Sequence, residues 1–261
     1  MISVGTAASG IVTKPVRAVG GFFAMSLDTI LLIFVPPFAW REFLTQVWFV
    51  ARVSLVPTLL MSIPFCTQVI FNLNILLVDL GAADLSGVGA SIGIVNQIGP
   101  MVTVLVVAGA GATAMCADLG ARTIREELDA MRVMGINPIQ ALVVPRVLAG
   151  TVVALMLFAL VTLAGLTGSF FFSVYVQDVT PGAWASSLTL LVGITDVIIA
   201  MLKSMMFGLA ASLIACYKGI TVGGGPQGVG NAVNETVIFA FMALFAVNVV
   251  MTAIGVQVRT H

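Results

Sequence analysis

The sequence predicts an all-α membrane protein with five transmembrane helices. Of its 261 residues, 60% are hydrophobic and the mean hydropathy is +1.15, whereas soluble domains are about half apolar. Four stretches without a charged residue are each longer than the ~20 residues that a helix needs to cross a bilayer. These stretches are residues 53–78, 85–117, 147–177 and 236–258.

The predicted spans follow from these stretches, with one addition. Residues 188–216 form a further apolar segment that carries only Asp196 and Lys203. All five spans belong to one membrane domain, residues 46–261, which follows an N-terminal segment, residues 1–45. The predicted boundaries are about 53–78, 87–115, 147–175, 188–216 and 236–258.

The N-terminal segment contains another apolar stretch, residues 18–40, that is long enough to cross. Basic residues flank it on both sides, namely Lys14, Arg17, Arg41 and Arg52. Because basic residues favour the cytoplasmic side, both flanks are expected there, and Pro36-Pro37 supplies a break where the chain can turn. We expect an interfacial elbow helix here, with a full crossing as the alternative.

The distribution of basic residues predicts the orientation of the chain. The outer loops around 79–87 and 176–187 carry no Lys or Arg, so Asp84 and Asp178 should lie outside. The N-terminus is then cytoplasmic and the C-terminus external. Nine of the 11 basic residues fall on the cytoplasmic side: Lys14, Arg17, Arg41, Arg52, Arg122, Arg125, Arg132, Arg146 and Lys218.

The loop between the second and third spans concentrates charge that the rest of the chain lacks. Its apolar residues, such as Leu128 and Met131, share one helical stripe, which predicts an amphipathic helix over about 120–134. Gly135 and Pro138 are suited to end it. Charges three or four residues apart support it: Asp118–Arg122, Arg122–Glu126, Arg125–Asp129 and Asp129–Arg132. Such a helix is either a solvated surface element or a docking surface for a protein partner.

Two charged residues lie within the fourth span. Asp196 and Lys203 are two helical turns apart and therefore share a face. A charge at the centre of the bilayer costs ~2.5–3.5 kcal/mol on insertion scales and usually faces the protein interior. We expect Lys203 to face a helix interface or a cavity and to be held by a polar partner, with Asp196 through a water molecule as one option.

Several functional classes are excluded by residue type. The three cysteines are far apart and the only histidine is His261, so no metal site, cofactor site or catalytic centre is expected. The net charge of zero gives no electrostatic basis for nucleic-acid binding. The stretch GGGPQG at 223–228 follows a membrane helix rather than a strand, and no GK[ST] motif occurs, so ATP binding is not expected.

Three motifs resemble one known family. The stretch REELDAMRVMGINPIQALVVPRVLA, residues 125–149, is similar to the central motif of the MlaE/YrbE permeases. QIGPMVTVLVVAGAGATA and KSMMFGLAASLIACYKGITVGGGPQGVGNAV resemble the family's Gly-Pro span and its Lys-Ser-x-x-Phe-Gly span with the following glycine-rich loop. The chain departs from the family at Ala110, where many members carry an Arg. The similarity leans toward the actinobacterial YrbE type.

The resemblance implies a permease subunit of an Mce-type ABC lipid transporter, in which the 46–261 domain is the permease domain. The implied partners are a second permease subunit, a cytoplasmic ABC ATPase, Mce-domain proteins and the lipid substrate. The charged helix would then be the coupling helix that docks into the ATPase. Its implied contact residues are Arg122, Arg125, Glu126, Glu127, Leu128, Asp129, Met131 and Arg132. The alternatives are an ion-driven secondary carrier or a non-transporting scaffold for Mce proteins; an intramembrane enzyme lacks the necessary motifs.

Overall fold

The architecture is an antiparallel bundle of long helices. The computed structural model describes residues 4–82 and 85–260, with side chains from residue 17 onward except residues 83, 84, 256 and 258–260. Within these residues there is no strand, and the predicted all-α class is confirmed. Five helical segments are long and apolar enough to cross a membrane, as predicted: Trp40–Asp79, Ser86–Ile124, Ile139–Tyr175, Ile194–Ile220 and Gly225–Gly255.

The helices are numbered in chain order. Three stretches within them are π-helical: Ile92–Ile98, Val107–Gly111 and Ile139–Val143. The α-helices are α1 (Val4–Leu32), α2 (Trp40–Asp79), α3 (Ser86–Ser91), α4 (Gly99–Val106), α5 (Ala112–Ile124), α6 (Glu127–Val133), α7 (Val144–Tyr175), α8 (Pro181–Leu188), α9 (Ile194–Ile220) and α10 (Gly225–Thr260).

The N-terminal helix α1 is separate from the five candidate spans. It ends before Pro36-Pro37, where the sequence analysis expected a break. The Tyr217 hydroxyl donates a hydrogen bond to the Ala18 carbonyl oxygen at 2.7 Å. Gln140 Nε2 donates a hydrogen bond to the Val35 carbonyl oxygen at 3.1 Å. These contacts attach α1 and the following turn to the bundle, and the elbow assignment stays a prediction.

Helix α2 begins well before the span predicted for it. Its 40 residues correspond to about 60 Å of helix, twice the ~30 Å hydrocarbon core. The sequence prediction started at residue 53 because Arg41, Glu42 and Arg52 are charged, but a helix can continue beyond the bilayer. Ser54, Thr58 and other small polar residues at intervals of four form a buried stripe that faces mainly α7.

The crossing of α7 and α9 depends on small residues. A Cβ atom at Gly208 would lie 2.7 Å from the Gly150 carbonyl oxygen and 2.6 Å from the Ala154 Cβ. Only glycine permits this backbone approach, which is typical of helix packing in membranes.

The two ends of the bundle differ in charge. We call the end that holds the first turns of α2 and α7, the end of α5 and the whole of α6 the charged end. The three spans that leave it and the two that return to it alternate in direction. Consequently, residues far apart in the chain, such as Glu42, Asp118 and Arg146, meet there.

Candidate functional site

The predicted helix over 120–134 is two helices in the structure. Helix α5 ends at Ile124, Glu126 adopts a left-handed conformation with φ 58°, and α6 begins at Glu127. The amide of Glu126 donates to the Thr123 carbonyl oxygen at 3.1 Å, which closes α5. Sequence reasoning missed the break because no Gly or Pro marks it.

The end of α6 agrees with the prediction. Gly135 has φ +77°, and its amide donates to the Arg132 carbonyl oxygen at 3.0 Å. The Ile136 amide donates to the Met131 carbonyl oxygen at 2.9 Å. This pair of bonds is the Schellman arrangement, which satisfies the last carbonyl groups of a helix.

The break changes the ion pairs that the sequence suggested. Asp129–Arg132 forms at 2.9 Å, and Asp118–Arg122 at 3.6 Å. Arg125, however, pairs with Glu127 at 2.8 Å instead of with Asp129. The pair Arg122–Glu126 is absent from the ion pairs of the described residues, because the left-handed residue interrupts the helical spacing.

The apolar residues of α6 divide into a buried and an exposed group. Leu128 is only 5% exposed and packs against Leu119, Leu142 and Val143 in the core of this chain. Leu128 therefore anchors α6 to the bundle, and its role as an ATPase contact stays a prediction. Met131 is half-buried against the same cluster.

The exposed residues of α6 and of the chain on either side of it form a mixed surface, which we call the α6 surface. Its apolar members were not singled out by the sequence analysis: Val133 is 89% exposed, Met134 66% and Ile136 45%. The charged residues around them are exposed except for Glu127, which is half-buried. The α6 surface consists of Arg125, Glu126, Asp129, Arg132, Val133, Met134 and Ile136.

A buried arginine lies next to this helix pair. Arg146, near the start of α7, has no exposed surface. Its guanidinium contacts Asp118 of α5 at 2.5 Å and Glu42 of α2 at 3.3 Å, and it donates to the Leu142 carbonyl oxygen at 2.9 Å. We call these residues, with Arg122 beside Asp118, the Arg146 cluster.

The Arg146 cluster ties three helices together at the charged end. A buried charge is tolerated only with partners, and two carboxylates neutralise this one. Asp118 lies on the last two turns of α5, directly before α6. The cluster therefore connects the end of α5, from which α6 continues, to α2 and α7. Sequence reasoning used Arg146 only for topology; its position at the edge of a long apolar stretch was the available signal.

Both charged residues of the fourth span, Asp196 and Lys203, are buried. Lys203 is 7% exposed, and its Nζ donates to Thr252 Oγ1 of α10 at 3.1 Å. Asp196 is also buried, and its carboxylate accepts a hydrogen bond from the Gly193 amide at 3.1 Å, which caps α9. The structure thus gives Lys203 a polar partner in Thr252, and the contact with Asp196 through a water molecule stays a prediction.

The described residues contain no group of three or more His, Cys, Asp or Glu side chains placed to hold a metal ion. Cys66, Cys116 and Cys216 are buried and unbridged. Among the described residues, the charged features closest to the predicted site residues are the α6 surface, the Arg146 cluster and Lys203 with its partner Thr252.

These features define a multi-pass α-helical membrane protein with a short charged helix at one end of its bundle. The family model described as Permease MlaE matches residues 43–254. The chain therefore belongs to the MlaE permease family.

Similarity to individual proteins extends over different shares of the chain. A probable ABC transporter permease of Synechocystis sp. is 30% identical over 168 residues, 64% of each chain. The chloroplastic protein TRIGALACTOSYLDIACYLGLYCEROL 1 of Arabidopsis thaliana is 30% identical over 162 residues, 62% of this chain and 46% of its own. The alignments thus span less than two thirds of both relatives. A probable ABC transporter permease of Rickettsia conorii is 26% identical over 246 residues, 94% of this chain and 95% of its own.

Proposed function

We propose that this chain is the permease subunit of an ABC-type transporter that moves hydrophobic lipids such as fatty acids, sterols or phospholipids. Family membership supports a permease, and relatives named as ABC transporter permeases support the ABC type. The name of the Arabidopsis relative contains a galactolipid, which supports a lipid substrate. A separate cytoplasmic ATPase supplies the energy, and a second permease subunit and Mce-domain proteins complete the complex.

The α6 surface is the observation that carries this proposal. A solvated surface helix needs no apolar residues on its outer side, yet Val133, Met134 and Ile136 are exposed beside four charged side chains. An apolar centre with a charged rim is the usual composition of a protein interface. The anchoring of Leu128 in the core holds this surface to the bundle, so that a docked ATPase can transmit force to the spans.

The test changes the α6 surface without changing the core. We expect Asp129→Lys combined with Val133→Glu to abolish co-purification of the ATPase and ATP-dependent lipid transport, because like charges and a buried carboxylate at an interface cost several kcal/mol. The abundance and thermal stability of the permease should be unchanged, since both residues are exposed.

A control is Asp79→Lys, the same aspartate-to-lysine reversal at an exposed site where α2 ends, far from the charged end. It should retain the ATPase. Full ATPase recovery and full transport in the α6 variant would contradict the docking role. Wild-type lipid movement that needs an ion gradient instead of ATP would favour the secondary carrier, and absence of movement would favour the scaffold.

A further inference from the structure

Two adjoining cavities surround Lys203 within the bundle. One is about 190 Å³ and is lined mainly by apolar side chains, including Met101, Phe241 and Phe245. The other is about 210 Å³ and has a mixed lining, with Asn96, Thr252 and the Asp196 carboxylate beside apolar side chains such as Ile199. Gln97 and Lys203 line both cavities, so the ammonium group lies between an apolar cavity and one with a mixed lining.

Local backbone structure places the polar side chains at this position. Asn96 and Gln97 belong to the π-helical stretch Ile92–Ile98 of the second span. Such stretches interrupt the regular α-helical positions of side chains and are frequent at functional sites. On α10, Asn248 and Thr252 lie one turn apart and line the same region. A purely lipid-facing helix pair would not need four uncharged polar side chains here.

The described residues satisfy the charge of Lys203 only in part. An ammonium group has three donors, and the hydrogen bond that the structure gives it ends on the neutral hydroxyl of Thr252. Among the described residues, no carboxylate oxygen lies within ion-pair distance of its Nζ. The Arg146 cluster shows the contrast, because there a buried cation has two carboxylates. Lys203 thus has the capacity to bind an external anion.

The depth and the opening of the cavities indicate where this anion comes from. Lys203 lies nine residues inside α9, about 14 Å along the helix from its start. Phe245 is 65% exposed and Met101 44% exposed at the margin of the apolar cavity, so this cavity opens toward the side of the bundle. An occupant that enters there arrives from the membrane and brings an apolar part with it.

We propose that Lys203 binds the oxyanion headgroup of a lipid, a carboxylate or a phosphate, while the acyl chain lies against Met101, Phe241 and Phe245. Gln97 and Asn248 supply further donors beside the headgroup. This proposal rests on the proposed lipid transport and adds the charge class of the substrate.

Photolabelling of the purified native complex tests the site. The probes are a diazirine-bearing fatty acid and the fatty alcohol of the same chain. We expect the acid to label peptides of the second span and α10, and Lys203→Met to reduce this labelling about tenfold or more, because a hydrogen bond to a charged group is lost. Lys203→Arg should retain most of it. The alcohol should label the wild type and Lys203→Met equally.

Lys218→Met is the matched control. It removes the same charge from α9 outside both cavities, and labelling by the acid should persist. A diazirine-bearing phosphatidic acid and a diacylglycerol form the second probe pair. A Lys203-dependent preference for the fatty acid or for phosphatidic acid identifies the headgroup as carboxylate or phosphate.

Equal labelling of the wild type and Lys203→Met by both anionic probes would overturn the site. Loss of the second permease subunit from Lys203→Met with unchanged labelling would overturn it too, since a partner carboxylate would then be the counterion. Wild-type lipid transport measured in parallel separates the two proposals. Transport without Lys203-dependent labelling rejects the anion site alone, and lack of transport rejects the proposed function.

Discussion

At the scale of single residues, burial decides which charges matter. Arg146 and Arg132 both form close ion pairs with aspartates, but Arg146 is fully buried whereas the side chains of Arg132 and Asp129 are 65% and 70% exposed. Water already solvates the exposed pair, so little is gained when it forms. The Arg146 guanidinium has lost its hydration and is stabilised by two half-buried carboxylates, so its removal leaves partly buried negative charge with less compensation.

We therefore predict that Arg146→Met lowers the free energy of unfolding by about 3–5 kcal/mol. The control variant is Arg132→Met, which removes the arginine of the exposed ion pair. It should change the free energy of unfolding by about 0–1 kcal/mol. Thermal unfolding of both purified variants in detergent measures the difference. Equal midpoints for the two variants would show that the Arg146 cluster adds nothing beyond a surface ion pair.

At the scale of an element, the break between α5 and α6 determines what the charged helix can do. A straight helix over 120–134 would keep its residues in regular helical register throughout. The left-handed residue Glu126 interrupts that register, so that Leu128 packs into the core while Val133 and Met134 remain exposed. The chain uses a glutamate where glycine would be less strained, since a left-handed conformation costs most residues ~1–2 kcal/mol.

Glu126→Gly should consequently stabilise the break by about 0.5–1 kcal/mol, after allowance for the greater freedom of glycine in the unfolded chain. Asp129→Gly, in the middle of α6, should destabilise the helix by a similar free energy, because glycine is a poor helix former. Hydrogen exchange of the α6 amides is the measurement. Faster exchange in Glu126→Gly than in the wild type would contradict the left-handed conformation at this residue.

At the scale of the whole molecule, the spans alternate in direction. The residues predicted to be cytoplasmic and those predicted to be external therefore lie at opposite ends of the bundle. Lys218 and Arg41 are expected on the cytoplasmic side together with α6, and Asp178 on the external side. Asp84, which was assigned to the outside as well, lies outside the described residues. The assignment matters because the α6 surface can meet a cytoplasmic ATPase only in this orientation.

Single cysteines test the orientation, since the three native cysteines are buried. A membrane-impermeant thiol reagent applied to intact cells should label Asp178→Cys and should leave Arg41→Cys and Lys218→Cys unlabelled until the cells are opened. A cysteine at Lys14 should behave like the one at Arg41. Labelling of positions 14 and 41 from opposite sides would show that α1 crosses the membrane.

Much of the architecture was predictable from local composition. The five candidate spans were found because hydropathy and the absence of charge are properties of a continuous stretch of sequence. Gly135 was identified as the end of the charged helix because glycine is favoured at left-handed caps. The start of α2 and the break at Glu126 were missed, because neither has a local composition that distinguishes it.

By itself, the sequence determined the class of the protein, the number of its spans and the location of its charged loop. Each depends on residues close together in the chain. Only the tertiary structure decided that Leu128 is an anchor, that Arg146 joins Glu42 to Asp118, and that Lys203 meets Thr252 between two cavities. These contacts join segments that are distant in sequence, and they form because a polar group buried in a packed bundle is stabilised by a partner that is close in space.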